Sequence, residues 1–152
     1  MNGLGSIEKV CPPTDGSPIA NKTVKAGIKF AREIGAKVTA YQAIGALLTH
    51  IDDEGYVIDP KIHDEFERKG REAAQRRLDA IAKLARAAGV TFDAAVSIAD
   101  TPYKGIVEAA KKHNCDVIFM ASHGRRGVSG LLLGSVTQKV LTHCEIPVLV
   151  YR

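Results

Sequence analysis

Along the chain, apolar positions switch between two periods. Short apolar runs of strand length are separated by longer stretches in which apolar residues return every three or four positions. The runs at 10–13, 38–44 (VTAYQAI), 90–98 (VTFDAAVSI), 116–121 (DVIFMA) and 146–151 (IPVLVY) read as five strands. The first stretch between them carries Ala20, Val24, Ile28, Ala31 and Ile34 on one helical face. The second carries Ile62, Phe66, Ala73, Leu78, Ile81, Leu84 and Ala88 within a long charged helix. Ser17-Pro18, Asp59-Pro60 and Thr101-Pro102 each put an N-cap residue before a proline at the first helical position. Gly35, Gly89 and Asn114 stand where helices should stop, because these residues accept the left-handed conformation of a C-cap. A fourth helix is expected to start at Ser135, with Ser135 and Gln138 spaced as a capping box.

The order β-α-β-α-β-α-β-α-β implies right-handed crossovers, and so a single open five-stranded parallel sheet with helices on both faces. At 152 residues the chain fits one domain spanning residues 1–152, with no internal repeat and no linker. One connection is long, from Gly45 to Asp59. A loop of that length in a compact domain is either functional, such as a lid, or a surface excursion.

Composition narrows the class. Hydrophobic residues at 45% and charged residues at 25% are ordinary globular values, which exclude a disordered tail or a low-complexity scaffold. No apolar stretch approaches a membrane span, and residues 1–6 show neither a basic n-region nor an apolar h-region. Cys11, Cys115 and Cys144 are odd in number and lack CxxC spacing, which points to reduced thiols and a cytoplasmic protein. The net charge is +4, and residues 101–152, with 7 basic and 3 acidic side chains, hold the surplus. A local field of that size suits a small anion. With aromatics at 5% and no tryptophan, nucleic acid is not an expected partner.

In open α/β sheets, ligands sit beyond the carboxyl ends of the strands, where strand order reverses. Two loops have the composition for that place: 12–17 (PPTDGS), directly after the first strand, and 122–135 (SHGRRGVSGLLLGS), between the fourth strand and the fourth helix. The second loop has glycines at 124, 127, 130 and 134, which let the backbone approach a ligand closely and take positive φ. It leads into a helix whose first amides lack intrahelical partners and lie at the positive end of the dipole, a ready phosphate site. Arg125 and Arg126 add charge. On composition alone, a flexible glycine loop with Ser135 as an ordinary cap is an equal alternative. No G-x-x-x-x-G-K-[ST] motif occurs, and Gly3-Leu4-Gly5 lacks a third glycine and precedes the first strand.

Gly124 followed after nine residues by Gly134-Ser135 resembles the second half of the G-x2-G-x9-G-[ST] motif of the universal stress protein family. The flanks 118–124 (IFMASHG), 131–137 (LLLGSVT) and 147–150 (PVLV) match in order and spacing, and 13–17 (PTDGS) is similar to the family's first loop. The resemblance implies the adenine nucleotide alpha hydrolase-like fold, with strand order 3-2-1-4-5, and ATP, with or without Mg²⁺, held between the two loops. By position, Asp15 would contact the ribose or adenine edge, and Pro13 and Thr14 would shape that wall. Ala43 would present backbone to the adenine, and Met120 and Ala121 would lie near the sugar. Gly124, Gly134, Ser135, Val136 and Thr137 would bind phosphates, mostly through backbone N–H, with Ser122 and His123 lining the same turn. The motif's first glycine is Ala121 here. At negative φ, alanine adds only a methyl group; at positive φ, affinity would fall.

Other residues read more plainly. Ser122 is expected to point away from His123, so His123 reads as a positioning residue, and no catalytic residue is assigned. Asp15 is the only acid in either loop, so no metal ligand is assigned. His143 and Cys144 are adjacent and cannot both face one ion on a helix. Cys11 and Cys115 read as small core residues, His50, His63 and His113 as surface, and Asp52-Asp53-Glu54 as a hydrated loop. The leading functional reading is a nucleotide-dependent regulatory module in the bacterial stress response. The alternatives are a slow ATPase or autophosphorylating phosphotransferase, and an interaction module that binds no nucleotide. The family's strand order makes the run from Ile146 to Tyr151 a sheet edge. Its apolar character predicts a homodimer paired through that edge.

Overall fold

The computed structural model describes residues 5–47, 59–123 and 132–152. In chain order the elements are β1 (Lys9–Cys11), α1 (Pro18–Ile34), β2 (Lys37–Ile44), α2 (Pro60–Ala87), β3 (Phe92–Ile98), α3 (Pro102–Lys112), β4 (Val117–Ala121), α4 (Ser135–His143) and β5 (Val148–Tyr151). The strands form one parallel sheet in the order β3-β2-β1-β4-β5. From β1 the chain steps outward to β2 and β3, then returns across β1 to β4 and β5. Right-handed crossovers therefore send the first two helices to one face and the last two to the other. Accordingly α1 packs on α2, and α3 on α4.

Each face has its own core. On one, Val24 and Ile28 of α1 and Leu78 and Ala85 of α2 meet Val10, Val38, Val117 and Phe119 of the strands. On the other, Ile106 and Ala110 of α3 and Val140 of α4 meet Cys11, Tyr41, Ile118 and Met120. Adjacent residues such as Val10 and Cys11 divide between the two cores because strand side chains alternate. Cys11 and Cys115 are both buried. A hydrogen bond with Cys115, together with burial, pushes the Cys11 thiol up, so it stays protonated.

The helix punctuation follows local chemistry. Ser17 Oγ accepts the Ala20 N–H at 3.2 Å, and Asp59 Oδ1 accepts the Lys61 N–H at 2.9 Å. Thr101 holds the N-cap position of α3 without a side-chain bond. Gly35, Gly89 and Asn114 all have left-handed φ just past their helices. The strands are shorter than expected at several ends. β4 starts at Val117 because the Asp116 carboxylate accepts the N–H groups of Glu8 and Lys9, both at 2.9 Å. β5 starts at Val148 because Pro147 has no N–H to donate, although its carbonyl still accepts from Ile118 at 2.9 Å.

Of the apolar face expected along α2, only Leu78 and Ile81 are buried, and Leu84 in the second half is 43% exposed. Ala74, Leu78, Ile81 and Ala85 are buried, whereas Ile62 is 59% exposed and Phe66 43%. At 28 residues the helix is about 42 Å long, while the 8 residues of β2 reach only about 27 Å, so the first turns overhang the sheet. Most of the connection from Gly45 to Asp59, with His50, Asp52, Asp53 and Glu54, lies outside the described residues.

Candidate functional site

β1 and β4 are neighbours, with Val10 paired to Val117 and Cys11 to Ile118. The chain leaves β1 toward α1 on one face and leaves β4 toward α4 on the other. The two loops therefore part above the sheet and leave a cleft at the switch point.

The first loop is internally braced. Pro13 makes one further bridge to Tyr41, and the Thr14 N–H donates to the Tyr41 carbonyl at 2.8 Å. The Gly16 N–H donates to Thr14 Oγ1 at 3.1 Å, and the Ser17 N–H donates to Asp15 Oδ1 at 2.9 Å. Gly16 has φ +77°, and a Cβ there would run into the Arg77 side chain of α2. The positive φ therefore favours glycine at this turn, while the flexible Arg77 side chain would have to move aside for a larger residue.

A cavity of about 210 Å³ opens between the loops. Pro13, Thr14 and Asp15 line one side, and Met120, Ala121 and His123 with Val136 and Thr137 line the other. Ala43 is part of the floor, where β2 runs on past the last bridge to the β1 segment at Tyr41. Ser122 is buried beneath the wall, and Gly134 and Ser135 stand beside the cavity without lining it. Gly124 lies outside the described residues. Ala121 ends β4 in extended backbone, and among the described residues only Asn114 combines a side chain with positive φ. Its methyl group therefore adds to the wall without backbone strain.

Five further lining residues escape the sequence reading: Ser17, Ala20, Tyr41, Pro102 and Ile106. Tyr41 had a usable signal, since it lies two residues before Ala43 on the same strand face. Its hydroxyl shares a 2.7 Å hydrogen bond with Ser97, and burial holds its pKa above the ordinary phenol value. Pro102 and Ile106 enter only because α3 crosses back over the sheet, which no local pattern states.

The start of α4 differs from expectation. Gly134 is the N-cap, with φ −61° and ψ 152°, and no side chain caps the helix. Ser135 is already inside the first turn, so the expected capping box with Gln138 does not form; Gln138 N–H donates to the Gly134 carbonyl at 3.0 Å. Gly134 does not use positive φ, and its own N–H is taken by the Ser122 carbonyl at 2.6 Å. Thr137 Oγ1 donates to the Ala121 carbonyl at 2.8 Å and ties the helix to the end of β4. The amides of Ser135, Val136 and Thr137 have no partner among the described residues.

Ser122 does not point away from His123. Its Oγ lies 2.8 Å from His123 Nδ1, because Ser122 is anchored at both ends by Tyr151 O and Gly134 N and its side chain turns inward. Asp15 is the only carboxylate among the lining residues, and no cluster of three metal-type side chains occurs among the described residues. His143 packs on the Tyr103 ring with centroids 4.9 Å apart, a structural contact away from the cleft.

Comparison with known proteins agrees with this geometry. The family model described as the universal stress protein family matches residues 6–152. The chain belongs to the universal stress protein family. It is 30% identical to the universal stress protein MJ0531 of Methanocaldococcus jannaschii, over 99% of this chain and 85% of that one. Its structure is similar to that of MJ0577 from the same organism, with TM-score 0.76 and 27% identity, covering 95% and 94% of the two chains. A universal stress protein solved in complex with cAMP shares the fold at TM-score 0.69 and 23% identity, covering 97% and 98%. Membership of the family brings with it the adenine nucleotide alpha hydrolase-like sheet described above. Among the described residues, no helix is long and apolar enough to cross a membrane.

Proposed function

We propose that this chain binds an adenine nucleotide, ATP with or without Mg²⁺, in the switch-point cleft and serves as a nucleotide-dependent regulatory module in a stress response. One observation carries the reading: residues about 120 positions apart, Asp15 and the start of α4, face one cavity. The chemistry of its walls suits the parts of a nucleotide. Ala43, Ile106 and Met120 offer apolar surface for a planar base. The Asp15 carboxylate accepts hydrogen bonds from ribose hydroxyls. The amides of Val136 and Thr137, without partners among the described residues and at the positive end of α4, favour phosphate. At about 210 Å³ the cavity is smaller than the usual ligand cleft of about 300–1,000 Å³, so base and sugar enter it while phosphates extend over α4. Mg²⁺ would be held chiefly by phosphate oxygens and water, with Asp15 as the one carboxylate at hand. The cAMP complex of a protein with this fold is consistent with such a ligand.

Within this proposal the protein acts in the cytoplasm as a homodimer paired through β5, and it needs neither membrane nor nucleic acid. The discriminating experiment denatures the purified protein, identifies any released small molecule by mass, and titrates ATP calorimetrically into the stripped protein. Released adenine nucleotide, or saturable ATP binding with one site per chain, supports the reading. An empty protein that also ignores added ATP would favour an interaction module instead.

A further inference from the structure

The outward side of α1 carries a row of cations, turned away from the core residues Val24, Ile28 and Ala31. Lys22, Lys25, Lys29 and Arg32 are all exposed, and at about 3.6 residues per turn they fall within about 80° of one another around the helix. The row runs about 15 Å along the axis. No acid interrupts it: Glu33, the one acidic residue of α1, comes next to last in the helix. None of the four cations forms an ion pair among the described residues. The neighbouring α2 is built the other way. There Arg68 pairs with Glu65 and Glu72, and Lys69 with Glu65, so those cations are neutralised within the helix.

The row works against the helix that carries it. Lys22 and Lys25, Lys25 and Lys29, and Lys29 and Arg32 stand three or four apart, a spacing at which like charges repel. The first turn also has no acid to complement the helix dipole. A solvated face needs only mixed charge, as α2 has, whereas cations in register are complementary to a line of anions. Their period decides what kind of line. The spacing i, i+3, i+7, i+10 is that of one helix face, so a second helix with carboxylates at the same spacing meets the row rise for rise. Nucleic acid fits less well, because the row holds no aromatic side chain for a base to stack on. A lipid surface also fits less well, because no exposed apolar side chain stands within the row to enter the interface. We propose that the outer face of α1 is a docking surface for an acidic helix of a partner protein. The surface is complete whether or not the cleft holds a nucleotide.

The test uses the full chain and two alanine-based helical peptides of equal length and composition. One bears glutamates at i, i+3, i+7 and i+10; the other has them spread around the helix. Each is titrated into nitrogen-15-labelled protein at about 50 mM salt and again at about 0.2 M. The first peptide should shift amides saturably along 21–33, bind about fivefold tighter than the second, and weaken about fivefold at the higher salt. The double variant Lys25→Glu/Lys29→Glu should weaken it by about tenfold. Lys111→Glu/Lys112→Glu makes the same charge change on α3, across the sheet, and should leave it within about twofold. Thermal melting confirms folding, and Lys25→Glu alone should raise the melting temperature, since a glutamate there faces Lys29 and Lys22. No binding of the first peptide at the lower salt, equal binding of both peptides, shifts gathered on α3 or α4, or equal losses in the two double variants would overturn the proposal. A single-stranded oligonucleotide, or vesicles containing phosphatidylserine, engaging the α1 amides more tightly than the first peptide would overturn it too, and would assign the row to nucleic acid or to a lipid surface.

Discussion

At the scale of single residues, the cleft is shaped by positions where one atom more would not fit. Gly16 takes φ +77° directly under the Arg77 side chain, and Gly105 of α3 faces the Tyr41 hydroxyl so closely that a Cβ would collide with it. Gly16→Ala should destabilise the fold by about 1 kcal/mol from backbone conformation, with a smaller part from displacing the Arg77 side chain. In an Arg77→Ala background the crowding part should vanish and the conformational part remain. Urea denaturation of the four proteins checks this, and full recovery in the double variant would show that φ is not the constraint. The sequence marks Gly16 as a turn residue, since it follows Asp15 in a short polar loop, but it does not indicate Arg77, which is 61 positions away. The same limit explains Ser122 and His123. Their adjacency is plain in the sequence, whereas the inward turn of the serine depends on β5 and α4 holding its backbone from both sides.

At the scale of elements, the alternation of periods and the proline-marked helix starts made the order of strands and helices legible, because these signals are local. What local signals miss is length relative to the sheet. The stripe on α2 from Ile62 to Ala88 is continuous in sequence, yet of its members only Leu78 and Ile81 are buried, while Ile62, Phe66 and Leu84 are exposed. Leu78→Ala should therefore cost about 2–5 kcal/mol, and Ile62→Ala less than about 0.5 kcal/mol. Equilibrium denaturation measures both, and a loss at Ile62 as large as at Leu78 would mean that the overhanging turns are packed against something. At α4 the misreading was by one residue. Serine is the commoner cap, but here glycine caps, because the carbonyl of Ser122 holds the Gly134 amide and fixes where the helix can begin.

At the scale of the whole molecule, the strand order reverses between β1 and β4, and this alone brings Asp15 to the start of α4. The general location of the cleft was legible once a parallel sheet was expected. The contribution of α3 through Pro102 and Ile106 was not, since it depends on the long return from β3 to β4. The same topology leaves β5 at the edge, half-buried along its length, with one row of backbone groups to be paired. Light scattering at micromolar concentration should give twice the 16.3 kDa of one chain, and Val150→Lys should reduce it to one. A parent of single-chain mass would refute pairing through β5. The central claim is that one cleft at the switch point holds an adenine nucleotide. Titrating ATP into uniformly nitrogen-15-labelled protein and following the amide resonances tests it most directly. Saturable shifts concentrated at Thr14, Asp15, Ala43, Ala121, Val136 and Thr137 are the predicted result. An unchanged spectrum, or shifts gathered on α2 away from these residues, would contradict it.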